Sequence, residues 1–290
     1  MRAFKNIESI VVEKGTALED LKWGSQSFSD TYGPTLLEPR GLNDWHQASK
    51  EVGAFSLPAL LEILASVRAD ETEPKALRNI SAVGISTQVM QRLEPMIPKL
   101  SDVLSQVRDV TLNFRLGEKR FPQKAKMNHA FIRPDKDLAK LRHFLQLFGM
   151  IRRLDLRFES TYNEMTDFLG LVKSVHWKHI EDVTFGGILF KESDMIDFIK
   201  DHRRTLTDVT FIDTCISRGG SWAMLLENIR DLKVVKQFWI NGKMLTENVS
   251  HLASMELFSD LSCKVADYVE GQSNMINPLR DVSRASLDSL

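Results

Sequence analysis

Cysteine is almost missing from this chain: Cys215 and Cys263 are the only two in 290 residues. A pair that sparse cannot staple a small secreted domain, and it points to a reducing, intracellular setting, cytoplasmic or nuclear. Net charge is equally scarce, with 38 Lys plus Arg against 39 Asp plus Glu and a formal charge of −1. No global field draws the chain to nucleic acid or to a membrane surface, so an electrostatic partner needs a local patch. Long apolar runs are lacking as well. The opening MRAFKNIESIVVEKG is too briefly apolar for a signal-peptide core or a membrane span. No P-loop, dinucleotide fingerprint or nucleophile elbow occurs, so the sequence argues against an enzyme and implies no cofactor. What is present is core-forming material: 43% of the residues are apolar, enough for one large domain or two of ~150 residues.

That apolar content is arranged periodically. Phe4, Ile7, Ile10 and Val12 are spaced by three, three and two. The same gaps recur at Leu77, Ile80, Val83, Ile85; at Leu104, Val107, Val110, Leu112; at Phe148, Ile151, Leu154, Leu156; and at Trp177, Ile180, Val183, Phe185. A further copy is Leu206, Val209, Phe211, with Arg203 in the leading slot, and the last is Leu232, Val235, Phe238, Ile240. The third position falls at 10, 83, 110, 154, 183, 209 and 238, giving intervals of 73, 27, 44, 29, 26 and 29. The final two apolar positions of each copy alternate with a small or polar residue, as a short strand requires.

Between copies the spacing becomes helical, at i, i+3, i+4 and i+7. The sets are Leu60, Ile63, Leu64, Val67; Leu141, Phe144, Leu145, Phe148; Met165, Phe168, Leu169, Val172; and Trp222, Leu225, Leu226, Ile229. A shorter helix holds Met195, Ile196, Phe198 and Ile199, with Ser193 and Asp194 as expected caps, and Pro95 and Pro98 should distort a helix near Leu93–Leu100. Strand and helix alternating on a beat of 26–29 residues, with two insertions, predict an α/β leucine-rich-repeat solenoid, a horseshoe of short parallel strands. A doubly wound α/β domain also alternates strand and helix, but it varies its strand sequences freely. The expected layout is solenoid at 1–245, insertions at about 15–55 and 113–136, a helical C-terminal cap at 246–270, and a mobile polar tail at 271–290.

From Asp194 onward the likeness to a known family is specific. Phe198-Ile199, His202, Thr205-Leu206, Val209 and Phe211, then Gly220-Ser221-Trp222 and Leu225-Leu226, resemble the "FL..H..TL..L.L" and "GSW..LL" segments of fungal F-box proteins. Tyr268-Val269 and Asn277-Pro278-Leu279 resemble the segment that closes such chains. The resemblance implies a substrate receptor whose repeats hold a protein target, while an F-box docks a Skp-type adaptor of a cullin ubiquitin ligase. The F-box itself is not visible. Ser56-Leu57-Pro58-Ala59-Leu60-Leu61 has a similar opening, yet Pro74 and the next strand pattern follow too soon, so it reads as a repeat helix. The asparagine of common repeats is also replaced, by Gly15, Gln88, Arg115, Glu159, Ile188, Thr214 and Lys243.

In such a horseshoe the slots flanking the strand apolars face the hollow. They include Ser9, Val11, Ala82, Gly84, Asp109, Thr111, Arg153, Asp155, Arg157, Asp182, Thr184, Asp208, Thr210, Gln237, Trp239 and Asn241. Arg153, Asp155 and Arg157 with Asp182 and Asp208 make a stripe of mixed charge suited to a protein target, or one that merely satisfies itself. Trp239 is either a binding anchor or covered by the C-terminal cap. Residues 115–142 carry a local charge of +6, including Lys119, Arg120, Lys124 and Lys126, which allows an RNA or acidic ligand without any RNA-binding signature. His176 and His179 lack an obvious third ligand for a metal, His202 reads as a helix-end residue, and Cys215 (after a strand) and Cys263 (on an apolar helix stripe) read as structural.

Overall fold

Strands form where the apolar pairs alternate, because one side of each strand must be buried and the other need not be. The computed structural model describes residues 7–12, 57–58, 60–62, 65, 76–86, 89–115, 131–132, 136–159, 164–172, 175–217, 219–247, 252–256, 259–271 and 275–280. In chain order the elements are β1 (Ser9–Val12), β2 (Asn79–Ser86), α1 (Val89–Leu93), α2 (Ile97–Leu104), β3 (Asp109–Arg115), β4 (Phe131–Ile132), α3 (Lys136–Leu145), β5 (Arg153–Glu159) and β6 (Glu164–Asp167). They continue with α4 (Phe168–Val172), β7 (Asp182–Gly186), β8 (Ile188–Phe190), α5 (Glu192–Asp201), β9 (Asp208–Ile216), α6 (Trp222–Leu232), β10 (Gln237–Glu247), β11 (Leu252–Glu256) and α7 (Ser259–Val269). Residues 57–65 include a further helical stretch in which Leu57 and Leu61 are buried.

β1, β2, β3, β5, β7, β9 and β10 lie side by side in that order, all parallel, and the sheet curls into a half-barrel. A strand occupies about 4.8 Å across a sheet and a helix about 10 Å, so helices stacked on one face push the strands to the inside of the curl. Ile10, Ile80, Val110, Leu154, Val183, Val209 and Phe238 align across the seven strands. Two residues on, Val12, Ala82, Leu112, Leu156, Phe185, Phe211 and Ile240 align as well, and both files are buried under the helices. At the start of each of these strands after β1 two successive N–H groups donate to one carbonyl of the preceding strand: those of Arg152 and Arg153 to Arg108, and those of Glu181 and Asp182 to Arg152.

The register corrects the second repeat. Ile80, not Val83, is the partner of Ile10 and Val110, so Leu77 fills the second slot and the interval to Val110 is 30 residues. Ala82 is therefore fully buried, and the slots on the open face are Asn79, Ser81 and Val83. The apolar spacing misled because β2 has an extra residue: Gly84 takes φ +71 and the register shifts between Val83 and Ile85.

A second, shorter row of strands continues beyond the first: β4, β6, β8 and the distal half of β9 run parallel, and β10 adds β11 antiparallel. The junction of the rows is a left-handed backbone position, four residues past the buried file, at Gly84, Gly187, Asp213 (φ +48) and Gly242. Gly187 is required there. Its φ is +63, and a Cβ would overlap the carbonyl oxygen of Phe158.

Several local expectations change. β3 runs to Arg115, into the span assigned to an insertion. One expectation holds: the helix between Val89 and Leu104 is interrupted, as Pro95 and Pro98 require, by a 3-10 turn at Glu94–Met96. Met165 belongs to β6, so α4 is a single short turn with Leu171 buried and Leu169 exposed; Asp167 opens it by accepting from the Gly170 N–H at 3.0 Å. α5 begins at Glu192 after Lys191, with no capping side chain, so Ser193 and Asp194 sit inside its first turn. Cys215 is within β9, which bends and continues, and Cys263 is exposed. The C-terminal unit is a strand pair followed by α7 rather than helix throughout. Part of the expected tail is packed: the Asn277 amide donates to Ala223 O at 2.8 Å, and Leu279 is buried.

Candidate functional site

One face of the first row carries Arg153, Asp155, Arg157, Asp182, Thr184, Asp208, Thr210 and Trp239 from the strand slots. Across β2, β3, β5, β7, β9 and β10 the outermost file is Asn79, Asp109, Arg153, Asp182, Asp208, Gln237. The next is Ser81, Thr111, Asp155, Thr184, Thr210, Trp239, and the third is Val83, Asn113, Arg157, Gly186, Ile212, Asn241. The alternation of each strand puts these opposite the buried files, on the side away from the described helices.

The charges are largely tied to one another. Arg157 forms a fork on Asp155, its Nε donating to Oδ1 and its Nη2 to Oδ2, both at 2.7 Å. Such a bidentate pair fixes the guanidinium against the Asp155 carboxylate. The Arg157 stem lies over Gly186, where a Cβ would sit 3.1 Å from its Cγ, so glycine makes room for the arginine. Arg153 Nε meets Asp109 Oδ1 at 3.0 Å, and Arg152 meets Glu181 at 3.4 Å on the strand edge. Asp208 accepts from the Thr207 hydroxyl. The Asp182 carboxyl is held above its ordinary pKa, first by burial and then by the Asp208 carboxylate. Arg153 pulls the other way, and Asp155 adds to the rise.

Trp239 is 40% exposed, so the described part of the C-terminal unit does not cover it. α7 instead packs on the helix side, where Ser262 Oγ donates to Ile240 O at 2.6 Å. A cleft of about 380 Å³ opens beside the third file, between Asn113, Arg157, Gly187, Asp213 and Lys243, with Met165 and Leu245 in its wall. The sequence reading did not find this cleft; the recurring left-handed position is the signal that marks it.

The histidines lie elsewhere. His202 ends α5 and is buried, its Nδ1 2.8 Å from Phe198 O and its Nε2 accepting the Trp177 N–H at 3.3 Å. Burial lowers its pKa, the Phe198 carbonyl opposes this, and His176, stacked at 5.3 Å, adds to the lowering. His176 thus faces His202 rather than a metal partnership with His179, and no group of three metal-ligating side chains occurs among the described residues. Lys119, Arg120, Lys124 and Lys126 lie outside the described residues. Two cations from the same basic span are engaged, Lys140 with Glu94 at 2.6 Å and Arg142 with Gly170 O at 3.3 Å. No helix among the described residues is long and apolar enough to cross a membrane. No protein-family model, no curated protein and no solved structure matches the chain.

Proposed function

We propose that this chain is a non-catalytic leucine-rich-repeat protein that binds a protein target on the face of its curled sheet that lies away from the described helices. The observation that carries the reading is the alignment of three polar files over six parallel strands, ending in an exposed tryptophan, on the side opposite the helices. A curved, pre-formed face loses little entropy on binding, and an indole beside fixed charge pairs supplies both an anchor and selectivity. The resemblance between residues 194 and 280 adds a role: the target-holding half of an F-box-type ubiquitin ligase receptor, with a Skp-type adaptor bound only through an F-box. A scaffold working without a ligase uses the same face.

The test is affinity purification of the intact chain from its native cells, beside a Thr184→Arg/Thr210→Arg variant that fills the face with two long side chains. The variant is expected to lose specific protein partners while keeping its unfolding midpoint within a few degrees. An unchanged partner set would overturn the assignment of the face. Recovery of a Skp-type adaptor and a cullin supports the ligase role, and specific partners without them support the scaffold.

A further inference from the structure

The charges on the open face do not cancel. Its described slots hold four carboxylates, Asp109, Asp155, Asp182 and Asp208, and two guanidiniums, Arg153 and Arg157. Arg153 is committed to Asp109 and Arg157 to Asp155. Asp182 and Asp208 remain, partners in register on adjacent strands and therefore about 4.8 Å apart at the backbone. Neither has an ion-pair partner among the described residues. Arg153 flanks Asp182 in register without bonding it. Glu181, on the strand edge, is taken by Arg152, and Lys236, at the start of β10, forms no ion pair with Asp208.

Apolar surface adjoins this unpaired charge. Trp239 stands in register with Thr210, one strand beyond Asp208 and two residues further along. Thr184 and Thr210 between them are short, Gly186 has no side chain, and Ile212 is half-buried, so nothing long from these slots fills the space. Two carboxylates at one end and an indole whose backbone lies about 8 Å from Asp208 and about 12 Å from Asp182 suit an organic cation on an aliphatic stem, since ammonium and guanidinium groups pair with carboxylates and also lie over indoles.

We propose that this half of the face receives a lysine- or arginine-bearing segment of a protein partner, its cationic head between Asp182 and Asp208 and its stem toward Trp239. The inference rests on the reading of the face as a protein-binding surface and specifies the charge of what binds there. Burial first, and the Asp208 carboxylate second, raise the Asp182 pKa; a cationic head offsets the second of these, and protonation of Asp182, which weakens binding, sets in at a higher pH than for an ordinary aspartate.

The experiment uses the full chain and two fluorescein-labelled probes read by anisotropy at low salt: a peptide of alternating glycine and arginine, and its glutamate counterpart. The arginine peptide is expected to bind and the glutamate peptide not. Asp182→Asn/Asp208→Asn should weaken binding at least tenfold, and Trp239→Ala should weaken it too. Asp197→Asn/Asp231→Asn removes the same charge from α5 and α6 and should change binding less than twofold, which separates a site from general attraction. Equal loss in both double variants, no loss in either, a preference for the glutamate peptide, or no binding of either probe would each overturn the proposal. Applied to a partner captured from cells, the same variants separate the two readings. Loss with Thr184→Arg/Thr210→Arg but retention with Asp182→Asn/Asp208→Asn overturns the charge assignment and leaves the binding face standing; retention with both overturns both.

Discussion

His202 shows how one buried side chain ties a motif to stability. Its ring closes α5 by donating from Nδ1 to Phe198 O, and it reaches the next segment by accepting the Trp177 N–H at Nε2. The Nε2 bond needs the neutral ring, because a protonated Nε2 becomes a donor and loses the Trp177 interaction, while the Nδ1 donation survives protonation. The pKa is lowered on folding, so the unfolded chain binds the proton more tightly. Stability is fully present above the unfolded value near 6.5 and falls as pH drops from there through the lowered folded value. Urea melts of the wild type between pH 7.5 and about 5 should show that loss, and His202→Ala should flatten it while costing roughly 1–3 kcal/mol at neutral pH through the Trp177 N–H left unpaired, since Phe198 O keeps the backbone N–H of residue 202. A wild-type profile flat across that range would contradict the assignment.

The other residues that carry the resemblance also have structural work to do. Ser221 caps α6 by accepting the Met224 N–H at 3.4 Å, and Trp222 Nε1 donates to Leu245 O at 3.0 Å. A Cβ on Gly220 would overlap the Ile216 side chain. Arg230 lies over the Tyr268 ring at 4.4 Å and donates to Met275 O at 3.1 Å, which fastens the closing segment to α6. The motif therefore speaks about how repeats join rather than about what the face binds.

At the scale of the elements, the left-handed position between the strand rows is a tightly constrained piece of backbone. Gly187→Ala meets both a left-handed φ and the Phe158 carbonyl, and should cost ~3 kcal/mol or more. Gly149→Ala has its nearest neighbour at 3.7 Å and no positive φ, and should change stability by less than ~0.5 kcal/mol. Chemical denaturation of the two variants against the wild type measures the difference, and similar costs would mean that this position is not constrained as described.

The strands were legible because a buried file and an open file differ in polarity at a period of two, which Leu154, Asp155, Leu156 and Arg157 display directly. β2 was misplaced by three residues because Ala82 is small and Val83 apolar, so the wrong file looked the more hydrophobic. The second row was not legible. Ile188, Leu189 and Phe190 are all buried, which removes the alternation that identifies a strand. The pairing of Arg157 with Asp155 was hidden too, since residues two apart share a strand face but their side-chain rotamers are not written in the sequence. Trp239 was read correctly as a strand slot, and its exposure depended on where α7 packs.

For the molecule as a whole, the two sides of the sheet have opposite roles. The helix side is closed by an aromatic core in which Phe168, Phe185 and Phe198 meet edge to face, and Phe211 contacts Phe190, Trp222 and Phe238. The open side carries the charge pairs, the two carboxylates that have no ion pair among the described residues, and Trp239. Binding through the open side should leave the outer helices untouched. Trp239 and Met224, the latter on α6 and 49% exposed, are both reactive toward hydroxyl radicals and stand on these different elements. The decisive measurement is hydroxyl-radical footprinting of the full chain with and without a protein partner captured by the affinity purification. Protection of Trp239 with Met224 unchanged is the predicted result. Protection of Met224 with Trp239 still fully reactive would place the partner on the helices and contradict the account.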